Sequence, residues 1–317
     1  MKNLVSVLLG IVFIACVVGR AWATEYSETS IEIDRDGTLS GSLILPKAEG
    51  KVPVVVIVSG SGPTDRNGNV AGAQSDCLKQ LAKQLAALGI ASVRYDKRGV
   101  GKSASAKIHE SDMRFETYVD DAAAWIQKLK GDARFSHVAI AGHSEGALIA
   151  VLAAPLGGAD SVVSIEGASK PADEVLRVQL ADKLPANLLE ENETILTTLK
   201  AGKFVQVVPP ELSGLYRPSA QPYLISWFHY DPVQEIKKLK VPVLILQGDH
   251  DIQVPKEAAD ELGKAMSHGV VHVIPGMNHA LKMVTEDMDS QLASYNDPMS
   301  PISEVLPLYI ENFLKSL

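Results

Sequence analysis

A serine at the centre of a glycine-flanked pentapeptide is the clearest chemical signal in the chain. The motif reads Gly142-His143-Ser144-Glu145-Gly146 and matches the pattern G-x-S-x-G. A β-rich run precedes it and an apolar helical run follows, so we expect the serine on a tight turn from strand to helix. Such a turn lifts the hydroxyl above a sheet, and the helix directs its positive dipole end toward the same point. The motif therefore predicts a nucleophilic serine.

A serine hydroxyl needs a base to remove its proton and an acid to orient that base. Where the serine lies on a strand-to-helix turn, the acid and then the histidine follow it along the chain. His279 comes just past the last strand-like run, so we predict that it is the base. Asp249 and Asp251 both follow the preceding strand-like run. Asp251 is the preferred acid because it lies farther along the loop toward His279, and Asp249 stays the alternative, with turn amides as its other partners. His143 is expected to direct its side chain elsewhere.

The oxyanion of an acyl-transfer intermediate needs two backbone N–H donors. One is expected from Glu145, directly after the nucleophile, and the other from the loop after an earlier buried strand. That loop reads Gly60-Ser61-Gly62-Pro63, where main chain can approach a substrate closely. The N–H of Ser61 is the first choice and that of Gly62 the second, and Gly60 and Gly62 are candidate substrate contacts. A plain glycine-rich turn is the alternative interpretation.

The elements that position these groups follow from hydrophobic patterning. Short β-rich runs alternate with amphipathic stretches, which is typical of a mostly parallel sheet with helices on both faces, an α/β fold. Asp36-Gly37 between two strand-like runs predicts an opening hairpin. The run 52–58 predicts a central strand that is buried on both sides.

The alternation stops between residues 167 and 240, where only helix-like patterns occur. A plain loop of this length would be unusual, so we interpret it as a helical cap over the carboxyl ends of the strands. Tyr223, Trp227 and Tyr230 belong to the densest aromatic cluster of the chain. These three could line a substrate pocket. They could equally form the cap's own small core.

The first 23 residues have the pattern of a signal peptide. Lys2 precedes an apolar run over 4–18, and Ala21-Trp22-Ala23 is a small–x–small cleavage site. The run is shorter than a membrane-spanning helix requires. We therefore predict an exported mature chain of residues 24–317, periplasmic or secreted, without stable membrane insertion. An uncleaved anchor is the alternative. Of the two cysteines, Cys16 lies in the leader, and Cys77 is interpreted as a packed core residue.

Composition narrows the class of partner. The chain has 317 residues, 46% of them hydrophobic, and a formal net charge of −8, which argues against a nucleic-acid partner. Gly101-Lys102-Ser103 matches the end of a phosphate-binding loop. The first glycine of that motif would fall at Asp96, so the motif fails.

Together these motifs resemble the α/β-hydrolase superfamily from about residue 31 to the C-terminus. Asp96 to Ser103 is similar to its D-x-R-G-x-G-x-S loop, and Gly60 to Gly68 is similar to the G-S-G-P-x-D-R-[DN]-G loop of bacterial esterases grouped with the serine aminopeptidase-like (S33-type) hydrolases. The segment 223–232 resembles the same group. The resemblance implies a carboxylesterase that acts on short acyl chains, with no metal or organic cofactor.

The sequence thus predicts a serine hydrolase that cleaves small-molecule carboxylic esters through an acyl-enzyme. Its predicted triad is Ser144, His279 and Asp251. A peptidase or an acyltransferase would share this triad and differ in the cap. A non-catalytic secreted binding protein is the alternative from another class, although such a protein has no need for a complete Ser–Asp–His set.

Overall fold

An eight-stranded sheet forms the centre of the chain, which a computed structural model describes for residues 25–317. The predicted signal peptide, residues 1–23, lies outside the described residues. In spatial order the strands are β1-β2-β4-β3-β5-β6-β7-β8. Their bounds are Tyr26–Asp34 (β1), Thr38–Pro46 (β2), Val52–Val58 (β3), Ala91–Tyr95 (β4), Phe135–His143 (β5), Ser161–Ile165 (β6), Val243–Gly248 (β7) and Gly269–Ile274 (β8).

The six strands from β4 to β8 in this order are parallel, and only β2 runs against them. β1 pairs with β2 in antiparallel register, and β2 pairs in the same way with β4. The turn of this hairpin contains Asp36 and Gly37, as the sequence predicted, and both residues have positive φ values of 51° and 107°. The prediction of a mostly parallel α/β sheet is confirmed.

β3 shows why a continuous apolar run becomes a central strand. Val54 and Val56 join the hydrophobic cluster on one face of the sheet, whereas Val55 and Ile57 join the cluster on the other. All four side chains are almost completely buried. Because side chains alternate between the faces of a strand, a strand covered on both faces needs apolar residues at every position.

Helices cover both faces of this sheet. α2 and α3 pack together on one face, and α1 and α11 pack together on the other. No helix within residues 25–317 has the length and the hydrophobicity needed to cross a membrane. The helices are Cys77–Ala87 (α1), Phe115–Lys130 (α2), Glu145–Gly157 (α3), Ala172–Ala181 (α4), Ala186–Lys200 (α5), Ser213–Tyr216 (α6), Gln221–Phe228 (α7), Pro232–Ile236 (α8), Glu257–Ala265 (α9), Met288–Ser294 (α10) and Val305–Lys315 (α11).

The long segment between β6 and β7 contains α4 to α8 and no strand. It has a hydrophobic cluster of its own, in which side chains of α4, α5 and α7 meet. Leu196 and Phe228 are fully buried there, while Tyr223 and Trp227 pack both against this cluster and against the main core. The helical character of the segment agrees with the sequence pattern. Its designation as a cap over 167–240 stays a prediction.

Candidate active site

Ser144 lies at the turn between β5 and α3. Its backbone has φ 57° and ψ −123°, a combination that is costly for a residue with a Cβ. A serine on such a strained turn is the geometry that the G-x-S-x-G pattern predicts, and it exposes the hydroxyl at the end of the strand. Ser144 lines a cavity, as does Glu145 beside it.

The two glycines of the motif are required by close packing of the main chain. A Cβ on Gly142 would collide with the carbonyl group of Gly146. A Cβ on Gly146 would lie 2.6 Å from the carbonyl oxygen of Val58, at the end of β3. The sharp turn therefore tolerates no side chain at either position.

His279 and Asp251 form a buried pair at the same edge of the sheet. His279 Nδ1 donates to Asp251 Oδ2 over 2.6 Å, and the side chains are 6% and 0% exposed. Asp251 Oδ1 accepts from the backbone N–H groups of Gln253 and Val254, at 2.7 Å and 3.0 Å, so the carboxylate is fixed on both sides. Burial opposes ionisation of Asp251, but the charge and the hydrogen bond of His279 lower the pKa of its carboxyl below the usual value.

Asp249 has other partners. Its Oδ1 accepts from the backbone N–H of Gly276 over 2.6 Å, and its side chain is 28% exposed. The structure therefore brings Asp251, and not Asp249, into contact with His279. Asp249 bonds a turn amide, which is the structural role expected for it if Asp251 is the acid.

His143 packs directly against His279, a contact that the sequence pattern did not reveal. Its Nε2 donates to the main-chain oxygen of His279 over 2.8 Å, and the ring centroids are 4.9 Å apart. Burial, with a smaller effect from the charge of His279, lowers the pKa of His143 to about 3. The ring is therefore neutral and acts as a fixed support for the segment that contains His279.

Glu166 is a buried carboxyl group that the sequence analysis overlooked. It directly follows β6, is 0% exposed and has a positive φ of 51°. Its Oε1 accepts from the backbone N–H of Gly248 over 2.9 Å, and its Oε2 accepts from the side-chain amide of Gln247. Burial, and next the negative charge of Asp251, raise the pKa of Glu166 well above its usual range. A polar residue at the carboxyl end of a buried strand was the available signal.

Glu166, Asp251 and His279 each place one potential metal ligand within 4.8 Å of the other two. The Asp251–His279 hydrogen bond already uses two of these atoms, and burial raises the pKa of Glu166, which favours the protonated form of its carboxyl. A protonated carboxyl is a poor metal ligand. The side-chain amide of Gln247 donates to both Glu166 and Asp251, and Asp251 accepts from His279, so the groups form a chain of hydrogen bonds.

The loop after β3 runs beside the serine. A Cβ on Gly60 would lie 3.3 Å from Ser144 Cβ, so the main chain passes the serine at van der Waals distance. Ser61 and Gly62 are exposed and line the same cavity as Ser144 and Glu145. The residues predicted to supply the two oxyanion donors are therefore brought together around the serine.

A cavity of about 590 Å³ opens in front of Ser144. Tyr223 and Trp227 line it, and the Tyr223 hydroxyl is buried in its wall. Tyr230 does not line this cavity, so its prediction as a substrate contact is wrong. Its hydroxyl donates to Glu116 over 2.7 Å, and its ring packs against Phe115. Apolar side chains make up much of the remaining wall: Leu148, Val175, Leu176, Leu215, Leu224 and Val254.

Comparisons with known proteins agree with this fold. The family described as "Serine aminopeptidase, S33" matches residues 71–194. Esterase EstD of Thermotoga maritima is 28% identical over 265 residues, which cover 83% of this chain and 60% of EstD. The chain thus spans less than two thirds of that relative. The bifunctional esterase/perhydrolase DCH of Acinetobacter calcoaceticus is 26% identical over 218 residues, covering 61% of this chain and 76% of the relative.

The solved structures include Est1E from Butyrivibrio proteoclasticus with bound ferulic acid. It superimposes with a TM-score of 0.58 at 20% sequence identity and covers 90% of this chain and 98% of Est1E. At this level of identity the likeness concerns the fold, and it is the same fold that the strand order and the serine turn indicate.

Proposed function

We propose that the chain, which has the fold of the α/β-hydrolases, is a serine hydrolase that cleaves carboxylic esters. The observation that carries the proposal is the buried 2.6 Å hydrogen bond between His279 and Asp251, at the sheet edge where Ser144 lies on its strained turn. Relatives with the name esterase support the ester as the substrate class.

The reaction proceeds in two acyl-transfer steps. Ser144 Oγ attacks the ester carbonyl carbon while His279 Nε2 takes the hydroxyl proton. Asp251 holds the imidazole by Nδ1 and stabilises the imidazolium that forms. The backbone N–H groups of Ser61 and Glu145 hold the oxyanion of the tetrahedral intermediate.

The same histidine then works in the opposite direction. His279 gives its proton to the alcohol oxygen as the C–O bond breaks, which leaves an acyl-enzyme on Ser144. A water molecule enters, loses a proton to His279 and attacks the acyl carbon. Collapse of this second intermediate releases the acid and restores the serine.

The acidic side chains that line the cavity are already paired. This favours an ester over a peptide with a free amine as the substrate. An aminopeptidase needs an anionic group that is free to bind the substrate's ammonium. Among the cavity-lining residues in the described part of the chain, the acids are Glu110 and Glu145. Glu110 is bonded by Arg217 and Ser219, and Glu145 by Lys97.

The helical segment 167–240 acts in this proposal as a cap that limits the acyl pocket. Its side chains Leu176, Leu224 and Trp227 form part of the cavity wall. Apolar walls of fixed depth reward each added methylene only while there is room, so we propose a preference for acyl chains of roughly two to six carbons.

Hydrolysis of p-nitrophenyl esters of graded chain length, beside aminoacyl-p-nitroanilides, tests the proposal. The wild type is expected to cleave the esters and to leave the anilides almost untouched. Ser144→Ala is expected to fold normally and to lose several orders of magnitude in kcat. Near-normal turnover by a folded Ser144→Ala variant would contradict the serine mechanism, and preferential cleavage of the anilides would make the chain a peptidase.

Export is the second part of the proposal. Removal of residues 1–23 would leave Thr24 as the first residue of a periplasmic or secreted enzyme. N-terminal sequencing of the protein recovered from the periplasm and the medium tests this. A chain that retains Met1 in the cytoplasm would contradict it.

A further inference from the structure

Lys97 is a buried cation that contacts both segments of the proposed oxyanion hole. It follows β4, and its side chain is 1% exposed. Its Nζ donates to the main-chain oxygen of Gly60 over 2.6 Å and to Glu145 Oε1 over 3.0 Å. The ammonium also lies 4.6 Å from the centre of the Tyr118 ring. Burying an ammonium is costly unless its hydrogen bonds are satisfied, and here two acceptors and a ring face surround it.

The bond to Gly60 determines the direction of the next N–H group. The carbonyl of Gly60 and the N–H of Ser61 belong to one planar trans peptide, in which the two groups point in opposite directions. An ammonium that holds the carbonyl therefore holds the Ser61 N–H on the opposite side. It also withdraws electron density from the amide, which makes that N–H a stronger donor.

The bond to Glu145 reaches the other proposed donor. The Glu145 carboxylate is 2% exposed and pairs with Lys97, while the backbone N–H of the same residue starts α3 directly after the nucleophile. One ammonium thus connects the residue that supplies the second donor to the peptide that supplies the first.

The neighbour of Lys97 fixes the far end of the same loop. Asp96 accepts from both the backbone N–H and the guanidinium of Arg66, at 2.9 Å and 2.7 Å. The loop from Gly60 to Arg66 is therefore attached at its two ends by consecutive residues. Ser61 and Gly62 lie between these two attachments and are exposed. Their positions therefore depend on the attachments more than on packing.

We propose that Lys97 is a positioning residue of the oxyanion hole, which orients the Ser61 N–H through Gly60 and couples it to Glu145. The proposal rests on the proposed function, with Ser144 as nucleophile. A purely structural ion pair would stabilise the fold without a specific effect on the transition state.

Lys97→Met separates these two roles, with Lys102→Met as the matched control. Lys102 lies five residues after Lys97 in the segment that follows β4, its side chain is exposed, and only its backbone N–H bonds Asp96. Removal of one oxyanion donor costs about 10²–10³ in kcat, so misalignment of one should cost about 10- to 100-fold. Because the oxyanion develops in the transition state and is absent from the bound ester, kcat should fall while KM for the ester changes little.

Inhibition by phenylboronic acid supplies a second measurement, since its tetrahedral adduct with a serine mimics the intermediate. Its Ki should rise in parallel with the fall in kcat/KM in Lys97→Met and stay unchanged in Lys102→Met. If the single variant does not fold, Lys97→Met/Glu145→Gln, which leaves no unpaired buried carboxylate, takes its place with the same expected losses.

A folded variant with unchanged kcat and unchanged boronate Ki overturns the proposal. So does a loss that appears only in melting temperature. The Ser144→Ala variant distinguishes failure of the Lys97 proposal from failure of the proposed serine mechanism. If Ser144→Ala abolishes ester hydrolysis while the Lys97 variants behave as wild type, the role of Lys97 is wrong and the serine mechanism stands.

Discussion

Glu166 and Asp251 accept hydrogen bonds from the same side-chain amide, that of Gln247, which is 3.2 Å from Asp251 Oδ2. Two carboxyl groups this close in a buried site cannot both be ionised without a large cost. Asp251 has a lowered pKa because His279 compensates its burial, whereas burial and the charge of Asp251 raise the pKa of Glu166 more than its hydrogen bonds with Gly248 and Gln247 lower it. Asp251 is therefore the anion and Glu166 the protonated acid at the buried end of the proposed triad.

Glu166→Gln should change how stability depends on pH. A carboxyl whose pKa is raised in the folded state stabilises the protein relative to the unfolded chain only at low pH. That contribution is complete below the unfolded value of 4.5 and is lost as pH rises toward the folded value. Glutamine does not titrate and therefore loses no such contribution. The melting temperature of the variant should rise relative to that of the wild type as pH increases from about 5 to 8.

Thermal unfolding at several pH values in matched ionic strength provides the measurement. The quantity to follow is the difference in melting temperature between variant and wild type at each pH, because other groups change both values together. A difference that is constant with pH would mean that Glu166 does not carry a proton in the folded protein.

Asp251→Asn and Asp249→Asn should have very different effects. Asp251 carries the 2.6 Å bond to His279, so its replacement disturbs the tautomer of the base and should cost on the order of 10⁴ in kcat. The Asp249 carboxylate accepts its hydrogen bond from the Gly276 amide and makes no contact with His279, so its replacement should have a much milder effect. Steady-state kinetics on one p-nitrophenyl ester compares them, and the reverse ranking would move the role of the acid to Asp249.

His143→Phe should weaken catalysis without changing substrate preference. Phenylalanine keeps a ring beside His279 but cannot donate to its main-chain oxygen, so the base loses one support. A shift of the base by about 1 Å costs up to roughly 10² in rate, and we expect a loss in kcat of about tenfold. His268→Gln, on an exposed turn residue, is the control and should behave as wild type.

The pH profile provides a separate check on His143. Its pKa of about 3 keeps it neutral over the working range, so the acid limb of kcat/KM should report a single ionisation in the wild type. The same limb should persist in His143→Phe. Loss of that limb in the variant would show that His143, and not His279, is the titrating base.

The residues of the proposed triad could be predicted from the sequence because each lies just after a strand. Ser144, Asp251 and His279 each follow a strand, and parallel strands bring their carboxyl ends to one edge. Glu166 also follows a strand, but its contact with Asp251 depends on the pairing of β6 with β7, which the spacing of residues does not reveal. The position of Tyr230 was equally hidden, because α7 ends at Phe228 and the chain leaves the helical face beyond it.

Substrate length is the property that the cap residues should control. Trp227 lines the cavity and also stacks on Phe115, with ring centroids 5.7 Å apart and planes 6° apart. Trp227 is therefore both part of the pocket wall and part of the aromatic core, the two roles that the sequence left open for the cluster. A single substitution should reveal both, as a change in preference and as a loss of stability.

Trp227→Ala should extend the preferred acyl chain and lower the melting temperature. Each methylene that enters the enlarged pocket is worth about 0.8 kcal/mol, or roughly fourfold in kcat/KM, so the optimum should move to longer esters. Tyr230→Phe is the matched control, since it removes the bond to Glu116 outside the cavity and should leave the chain-length profile unchanged. A p-nitrophenyl ester series and a thermal melt on each variant give both readings. If Trp227→Ala lowers the melting temperature but keeps the wild-type chain-length profile, Trp227 belongs to the core alone. A wild-type optimum at long acyl chains would contradict the short-chain proposal itself.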